Sequence, residues 1–185
     1  MAVTPSTMIA LGTKATEFTL PDTVSGKNLS LSDMRSDKVT VIMFICNHCP
    51  FVKHVNAGLV KLANDYITKG VSFIAISSND VINFPDDSPE KMKLLSEELG
   101  YPFPYLYDES QEVARAYDAA CTPDFFIYDK DLKLAYRGQM DDSRPSNGLP
   151  VTGKDIRAAL DMLLAGKPVS AEQRPSIGCN IKWKK

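Results

Sequence analysis

The sequence predicts an α/β domain built around a buried β-sheet. Two segments, residues 39–45 (VTVIMFI) and 71–77 (VSFIAIS), are almost continuously apolar and rich in β-branched residues, as are strands covered on both faces. Between them, apolar residues recur at steps of three and four, which predicts a helix with one buried face. These residues are Val52, Val55, Leu59, Leu62 and Tyr66. Strand, helix and strand together form a right-handed βαβ unit with parallel strands.

The segments on either side of this unit carry their own start and stop signals. Residues 1–38 are turn-rich and predict short strands or hairpin pieces that lead into the core. The first long helix should end at Gly70, because glycine favours helix termination. A second helix should begin at Ser88-Pro89, where serine can cap the helix and proline suits its first position. It should end near Gly100.

The second half of the chain predicts shorter elements. A strand in FPYLYDES and a helix in QEVARAY precede residues 124–128 and 132–137, two strands that flank a turn as a β-hairpin. GKDIRAALDMLLAG predicts the last helix. We expect one domain over residues 1–185, with a C-terminal tail, residues 166–185, that packs on the domain or extends from it.

Composition and charge exclude several classes of function. The net charge is -2 and there is no long basic run, so we expect no nucleic-acid partner. The longest apolar run, VIMFIC, is far shorter than the roughly 20 residues of a membrane span, and the N-terminus has no signal-peptide pattern. We therefore expect a cytoplasmic protein without a membrane partner. Four cysteines are too few for a disulfide scaffold.

The segment ICNHCPFVKHV, residues 45–55, carries two cysteines and both histidines. Cys46 directly follows the first buried strand, and Cys49 falls in the first turn of the helix, next to Pro50. Unpaired amides and the dipole at a helix N-terminus stabilise a thiolate. The helical stripe places Cys49 on the buried face and Cys46 at an exposed tip. This asymmetry suits dithiol exchange, in which one cysteine attacks and the other resolves the mixed disulfide.

The two histidines allow different interpretations. A partly protonated His48 beside a thiolate would stabilise the reduced pair, whereas the alternative is an exposed loop residue. His54 falls on the polar side of the helix, as a solvated histidine would. A zinc or copper site formed by Cys46, His48, Cys49 and His54 is a further alternative. All four lie on one short stretch, whereas structural zinc sites usually combine two ligand clusters.

The motif and its surroundings resemble the thioredoxin-fold redoxin family, the AhpC/TSA and TlpA/ResA-like proteins. Cys-Asn-His-Cys follows a buried strand, and Thr122-Pro123 precedes the strand DFFIY, as does the cis-proline loop of that family. The opening GTKATEFTLPD and the segment YPFPYLYDESQEVARAYDAACTPDFFIYD are also similar, so the resemblance covers roughly residues 12–165.

The resemblance implies a thioredoxin-like fold with a central mixed β-sheet flanked by helices. It implies a thiol–disulfide oxidoreductase in which Cys46 attacks, Cys49 resolves, and a cis Pro123 shapes a substrate groove together with Thr122 and Asn47. No organic cofactor is implied, because the electrons reside on a redox-active disulfide. The implied partners are protein or small-molecule disulfides, or peroxides, and a thiol reductant as electron donor.

Peroxide reduction of the peroxiredoxin type is the alternative within this fold. The peroxiredoxin site resembles Pro-x-x-x-Thr-x-x-Cys. Counted back from Cys46, the threonine place holds Met43 and the proline place holds Val39. Counted back from Cys49, the threonine place holds Cys46 and the proline place holds Ile42. Neither register fits, so the dithiol interpretation is preferred.

Two further cysteines are candidates for accessory thiols. Cys121 directly precedes Thr122-Pro123 and so should lie near the dithiol, although a free cysteine also serves as a small core residue. Cys179 lies in the tail, where alternating apolar positions predict an edge strand or a packed segment. We hypothesise that Cys121 and Cys179 form a second thiol pair that acts as a relay or a staple.

Overall fold

A computed structural model describes residues 3–185 of the chain. Its strands are β1 (Val3–Pro5), β2 (Thr19–Pro21), β3 (Asn28–Ser30), β4 (Val39–Phe44), β5 (Val71–Ser77), β6 (Tyr105–Tyr107), β7 (Cys121–Thr122), β8 (Asp124–Tyr128), β9 (Leu134–Gly138) and β10 (Ile177–Asn180). Its α-helices are α1 (Leu31–Met34), α2 (Pro50–Ile67), α3 (Pro89–Leu99), α4 (Glu112–Ala116) and α5 (Lys154–Leu164), and a short 3₁₀ helix spans Pro85–Asp87.

The central sheet has five strands in the order β6-β5-β4-β8-β9. β4 pairs in parallel with β5, and β5 with β6, whereas β8 and β9 are antiparallel. The sheet is therefore mixed, and the predicted βαβ unit and β8–β9 hairpin are confirmed. β9 begins at Leu134, two residues later than predicted, because Leu132 turns the chain with a φ of 55°.

Helices cover both faces of this sheet, and β4 supplies side chains to each. Val41 and Met43 pack in the core that α2, α3 and α5 close, whereas Ile42 and Phe44 pack in the core beneath α1 and α4. Every residue of β4 is buried, which explains why its sequence is continuously apolar rather than alternating.

The predicted signals for α3 are confirmed in detail. Ser88 is its N-cap and its side chain accepts a hydrogen bond from the Lys91 amide, and Pro89 is the first helical residue. Gly100 ends the helix in a left-handed conformation with a φ of 63°, which favours glycine.

The tail packs on the domain instead of extending from it. β10 lies between β1 and β7 in a second sheet, antiparallel to both. Because β7 is the strand that leads into Pro123, this sheet brings the tail against the loop predicted to face the dithiol. The hairpin β2–β3 lies in the turn-rich opening. Within residues 3–185, no helix has the length and apolar character needed to span a membrane.

Candidate active site

The Cys-Asn-His-Cys loop joins the end of β4 to the start of α2. Cys49 is the N-cap of α2 and Pro50 is the first helical residue, so this cysteine lies at the helix N-terminus as predicted. Cys49 is 0% exposed, which also agrees with the predicted helical stripe. Cys46 is only 1% exposed, so the prediction that it forms an exposed tip is wrong. The loop before β8 covers it, and local periodicity contains no information about such tertiary contacts.

A single residue of that covering loop contacts both sulfurs of the motif. The Thr122–Pro123 peptide bond is cis, as the resemblance implied. The Thr122 hydroxyl lies 3.3 Å from the Cys46 Sγ. The Thr122 carbonyl oxygen lies 3.2 Å from the Cys49 Sγ and can accept its thiol proton. The loop therefore offers a hydroxyl donor to one sulfur and a carbonyl acceptor to the other.

Asp87 organises the motif loop, and sequence reasoning missed it. Its Oδ1 accepts hydrogen bonds from the backbone amides of Asn47 (2.8 Å) and His48 (3.2 Å). Its Oδ2 is 2.6 Å from the His48 Nδ1 and accepts from the Asn79 side chain at 2.8 Å. Burial alone would raise the pKa of Asp87, but these hydrogen bonds outweigh it and hold the pKa below its ordinary value. In the sequence this residue stands in a polar stretch that indicates only a loop.

Asn47 anchors the loop and does not line an open groove. It is 8% exposed. Its Nδ2 donates to the Asp86 carbonyl at 2.9 Å, and its Oδ1 accepts from the Tyr105 hydroxyl at 3.0 Å. The predicted role of Asn47 as a groove residue therefore needs correction, because both ends of its side chain are used in holding the motif against its neighbours.

His48 is half-buried, which argues against the exposed-loop alternative. Its ring stacks on Phe84, with centroids 5.4 Å apart and planes 10° from parallel. Its Nε2 is buried and has no hydrogen-bond partner, whereas its Nδ1 contacts Asp87. His54, on α2, also differs from the solvated residue that was predicted. Its Nε2 is buried and has no hydrogen-bond partner among the described residues.

The site offers three groups that could hold a metal ion, and they are not the four considered as the alternative metal site. Ligand atoms of Cys46, His48 and Asp87 lie within 4.8 Å of one another. Cys49 and His54 do not belong to this cluster. Because the Asp87 carboxylate already accepts hydrogen bonds from the motif loop and Asn79, a cation would have to displace some of them. The donor set is therefore better suited to holding the loop than to binding metal.

The two motif thiols share a hydrogen bond that separates their acidities. This bond, followed by burial and the negative charge of Asp87, raises the pKa of Cys46. The same bond lowers the pKa of Cys49, against the opposing effect of burial, and Cys179 and the Val52 amide lower it further. The helix N-terminus thus stabilises a thiolate as expected, but at Cys49 instead of Cys46.

The accessory cysteines lie close to the motif, in an arrangement that differs from the hypothesis. The Cys179 Sγ is 2.8 Å from the Cys49 Sγ. The Cys121 Sγ instead lies 3.6 Å from the Pro123 carbonyl, and burial raises the pKa of Cys121. In the β7–β10 register Cys179 is opposite Thr122, whereas Cys121 is opposite Asn180. The hypothesised pairing of Cys121 with Cys179 is therefore not the observed one, and no disulfide joins the four described cysteines.

A buried Cys-x-x-Cys at a helix N-terminus, facing a cis-proline loop on a mixed five-stranded sheet, defines a thioredoxin-like protein. The sequence model of the AhpC/TSA family matches residues 11–137, and the chain belongs to that family. The resemblance seen in the motifs is confirmed.

The names of the sequence relatives correspond to both activities considered for the motif. "Putative peroxiredoxin Rv2521" of Mycobacterium tuberculosis is 32% identical over 117 residues, 63% of this chain and 69% of that protein. "Thiol-disulfide oxidoreductase ResA" of Geobacillus kaustophilus is 29% identical over 139 residues, 74% of this chain and 75% of that protein. The comparisons thus support redox chemistry on sulfur within this family.

Solved structures confirm the fold. The crystal structure of an uncharacterized conserved protein from Geobacillus kaustophilus is 66% identical, with a TM-score of 0.98 over 100% of this chain and 97% of that one. The thioredoxin domain of a thiol-disulfide oxidoreductase from Bacteroides vulgatus matches with a TM-score of 0.59 over 70% of this chain and 88% of that one. At 21% identity, the second similarity concerns the fold alone.

Proposed function

We propose that this protein exchanges thiols and disulfides through Cys46 and Cys49. The observation that carries the proposal is the position of Thr122, whose hydroxyl is 3.3 Å from one sulfur and whose carbonyl is 3.2 Å from the other. This placement supplies a donor for a thiolate at Cys46 and an acceptor for a thiol at Cys49. Those are the protonation states in which Cys46 attacks.

In the first step one proton is transferred between the motif cysteines, and the substrate disulfide is replaced by a mixed disulfide with Cys46. In the resting pair Cys49 carries the thiolate and Cys46 the proton, because the pKa of Cys49 is lowered and that of Cys46 is raised. Attack by Cys46 requires this proton to pass to Cys49 against that difference, and the Thr122 hydroxyl and carbonyl stabilise the resulting Cys46 thiolate and Cys49 thiol. The Cys46 thiolate then attacks one sulfur of a substrate disulfide. A bond forms between Cys46 and that sulfur, the substrate disulfide breaks, and the second substrate sulfur leaves as a thiolate. The leaving thiolate takes the proton back from Cys49.

The second step completes a two-electron transfer. The Cys49 thiolate attacks the Cys46 Sγ of the mixed disulfide, and the first substrate sulfur leaves. This sulfur leaves as a thiolate that takes a proton from solvent, so the substrate ends as two thiols and the protein as a Cys46–Cys49 disulfide. A thiol reductant then restores the dithiol by the same exchange in reverse order, so the cycle needs no organic cofactor. Electron flow in the opposite direction uses the same intermediates.

Thiol peroxidase activity is the second candidate, and the burial of Cys46 favours it. A cysteine that is 1% exposed is more accessible to a small oxidant than to a protein disulfide. In this reaction the Cys46 thiolate attacks a peroxide oxygen, giving a sulfenic acid and an alcohol or water. Cys49 then condenses with the sulfenic acid and releases water, which leaves the same Cys46–Cys49 disulfide.

A redox titration with peptide mapping tests the proposal. The Cys179→Ser variant is equilibrated with mixtures of reduced and oxidised glutathione, quenched in acid, alkylated and mapped by mass spectrometry. In this background we expect a reversible Cys46–Cys49 disulfide. Adding Cys46→Ser or Cys49→Ser should abolish it, and adding Cys121→Ser should leave it intact. If both motif cysteines remain thiols at every glutathione ratio, the proposal is refuted.

A parallel exposure to hydrogen peroxide separates the two candidates. With Cys49 replaced by serine, a peroxidase should accumulate a sulfenic acid at Cys46 that a sulfenic-acid trap captures rapidly. An oxidoreductase that does not act on peroxide should form the mixed disulfide with oxidised glutathione much faster than it forms the trapped product.

A further inference from the structure

We propose that Cys179 is a third redox-active thiol of this site, which takes over the disulfide from Cys46 by attacking Cys49. The oxidised protein would then exchange between a Cys46–Cys49 form and a Cys49–Cys179 form. This inference rests on the proposed dithiol chemistry and assigns it one further reacting residue.

The distance between the sulfurs is the first support. The Cys49 Sγ lies 2.8 Å from the Cys179 Sγ, although 130 residues separate them in the sequence. A disulfide bond is about 2.05 Å long, so the sulfurs need to approach by less than one ångström. Cys46 lies on the other side of Cys49 in the same motif, and Thr122 contacts both of their sulfurs. Cys49 therefore stands between two candidate partners and can bond to either one.

The backbone around Cys179 is built to hold it there. β10 is hydrogen-bonded on both edges, with Cys179 opposite Val3 on one side and Thr122 on the other. The preceding residue, Gly178, approaches the cis-proline loop so closely that a Cβ there would lie 2.0 Å from the Thr122 carbonyl oxygen. The Ser176 hydroxyl donates to the Pro123 carbonyl at 2.6 Å. The position of Cys179 is thus determined by the same loop that contacts the dithiol.

Burial restricts what can react with Cys179. The residue is 3% exposed, so a disulfide formed at the adjacent Cys49 can reach it more readily than a bulky external oxidant can. Burial raises the pKa of Cys179, and the hydrogen bond and the negative charge of Cys49 raise it further, whereas Lys182 lowers it. Oxidation of Cys49 removes its thiolate charge. The Cys179 thiolate therefore becomes easier to form once Cys49 has entered a disulfide.

The exchange step conserves atoms and electrons. The Cys179 thiolate attacks the Cys49 Sγ of the Cys46–Cys49 disulfide. A Cys49–Cys179 bond forms, the Cys46–Cys49 bond breaks, and Cys46 leaves as a thiolate that takes the proton released by Cys179. No external oxidant or reductant is needed, because one disulfide replaces another. The disulfide then joins Cys49 to Cys179, and Cys46 is again a thiol.

The test uses the full chain with Cys46→Ser, equilibrated with reduced and oxidised glutathione and then mapped after proteolysis with trypsin. No lysine or arginine lies between Cys46 and Cys49, whereas Lys53 and many others lie between Cys49 and Cys179. A Cys49–Cys179 disulfide therefore appears as a link between two peptides. We expect this link in Cys46→Ser and its complete loss in Cys46→Ser/Cys179→Ser. Cys46→Ser/Cys121→Ser is the matched control and should retain it.

A second measurement does not depend on the Cys46 variant folding. In the wild type at an oxidising glutathione ratio, we expect molecules that carry the inter-peptide link and an alkylatable Cys46, and Cys179→Ser should lose them. The inference is overturned if the wild type forms the Cys46–Cys49 disulfide but never the link, and if folded Cys46→Ser also lacks it. That result leaves the proposed function standing. Failure of Cys179→Ser to form Cys46–Cys49 would count against the proposed function itself.

Discussion

The His48 imidazole and the Asp87 carboxylate are joined at 2.6 Å between Nδ1 and Oδ2, across 39 positions of the sequence. The other oxygen of the same carboxylate accepts the backbone amides of Asn47 and His48. One buried side chain therefore sets both the backbone path between the two motif cysteines and the orientation of the histidine between them.

Replacing Asp87 with alanine should destabilise the protein. Several donors would lose their buried acceptor, so we expect the free energy of unfolding in urea to fall by about 2–4 kcal/mol at pH 7. Because the pKa of Asp87 is lowered in the folded protein, its stabilisation is present above the pKa of the unfolded carboxyl and is lost as pH falls through the folded value. The stability difference between variant and wild type should therefore shrink in acid.

Asp86→Ala is the matched control for this prediction. Asp86 is the preceding residue, its side chain is 68% exposed, and it forms an ion pair with Lys91 at the surface. Its removal should leave the free energy of unfolding close to the wild-type value, because exposed ion pairs contribute little to stability. Equal effects of the two substitutions would show that Asp87 is not the residue that holds the loop.

Thr122→Val should slow the reaction of Cys46. Valine keeps the branched shape and the backbone carbonyl but removes the hydroxyl, which lies 3.3 Å from the Cys46 Sγ and lowers its pKa. One hydrogen bond contributes about 1 kcal/mol and tenfold corresponds to about 1.4 kcal/mol, so we expect alkylation of Cys46 to slow by about fivefold at neutral pH. Peptide mapping over time measures this rate. Thr122→Ser keeps the hydroxyl and should react like the wild type; a Thr122→Val rate equal to the wild-type rate would contradict the assigned contact.

The raised pKa of the buried Asp124 carboxyl predicts that the stability of the protein depends on pH. It is fully buried, its Oδ1 has no partner, and burial raises its pKa to about 7. An unfolded aspartate has a pKa of about 3.9. Between these values the folded state holds a proton that the unfolded state has released, so the free energy of unfolding should fall as pH rises from about 4 to about 7.

Asp124→Asn removes the titrating group and should remove this fall. Each pKa unit corresponds to about 1.4 kcal/mol, so we expect the variant to gain on the order of 3 kcal/mol relative to the wild type between pH 4.5 and pH 8. Urea unfolding at several pH values measures the difference. Asp131→Asn, at an exposed turn position, serves as the control. Parallel pH profiles for Asp124→Asn and the wild type would show that the buried carboxyl does not titrate in this range.

Gly178→Ala should separate β10 from the cis-proline loop. The added Cβ would lie 2.0 Å from a backbone oxygen of Thr122, and backbone atoms cannot rotate away as a side chain can. We expect a loss of about 1–3 kcal/mol of stability and a loss of the Cys49–Cys179 link. Gly58→Ala makes a close contact with the Val151 side chain instead and should leave the link intact. A link of wild-type abundance in Gly178→Ala would mean that this close approach is not needed.

Elements determined by local patterns could be predicted from the sequence. The apolar runs at residues 39–45 and 71–77 gave the parallel strand pair, and Ser88 and Gly100 gave the two ends of α3. These features depend on burial of a strand and on capping, and both leave a signal within a few neighbouring residues. The dithiol and the cis-proline loop were recognised from their order along the chain and their resemblance to a family.

Features that depend on contacts between distant segments could not be predicted in this way. Cys46 is buried because the loop at Thr122 covers it, and the motif loop is held by Asp87. The contact between Cys179 and Cys49 depends on how β10 pairs with β7. Residue spacing within one segment contains no information on which other segment packs against it, so the tail cysteine could be named but was assigned the wrong partner.

The pairing of β10 with both β1 and β7 also has a consequence for how the protein is made. Val3 pairs with Cys179, and Cys49 meets Cys179 across 130 residues. Closing such long loops costs chain entropy, and contacts between distant residues slow folding. Synthesis proceeds from the N-terminus, so Cys46 and Cys49 emerge well before the strand that carries Cys179. In the nascent chain these thiols are therefore exposed to oxidants and to other proteins until the last strand docks. After docking they are buried.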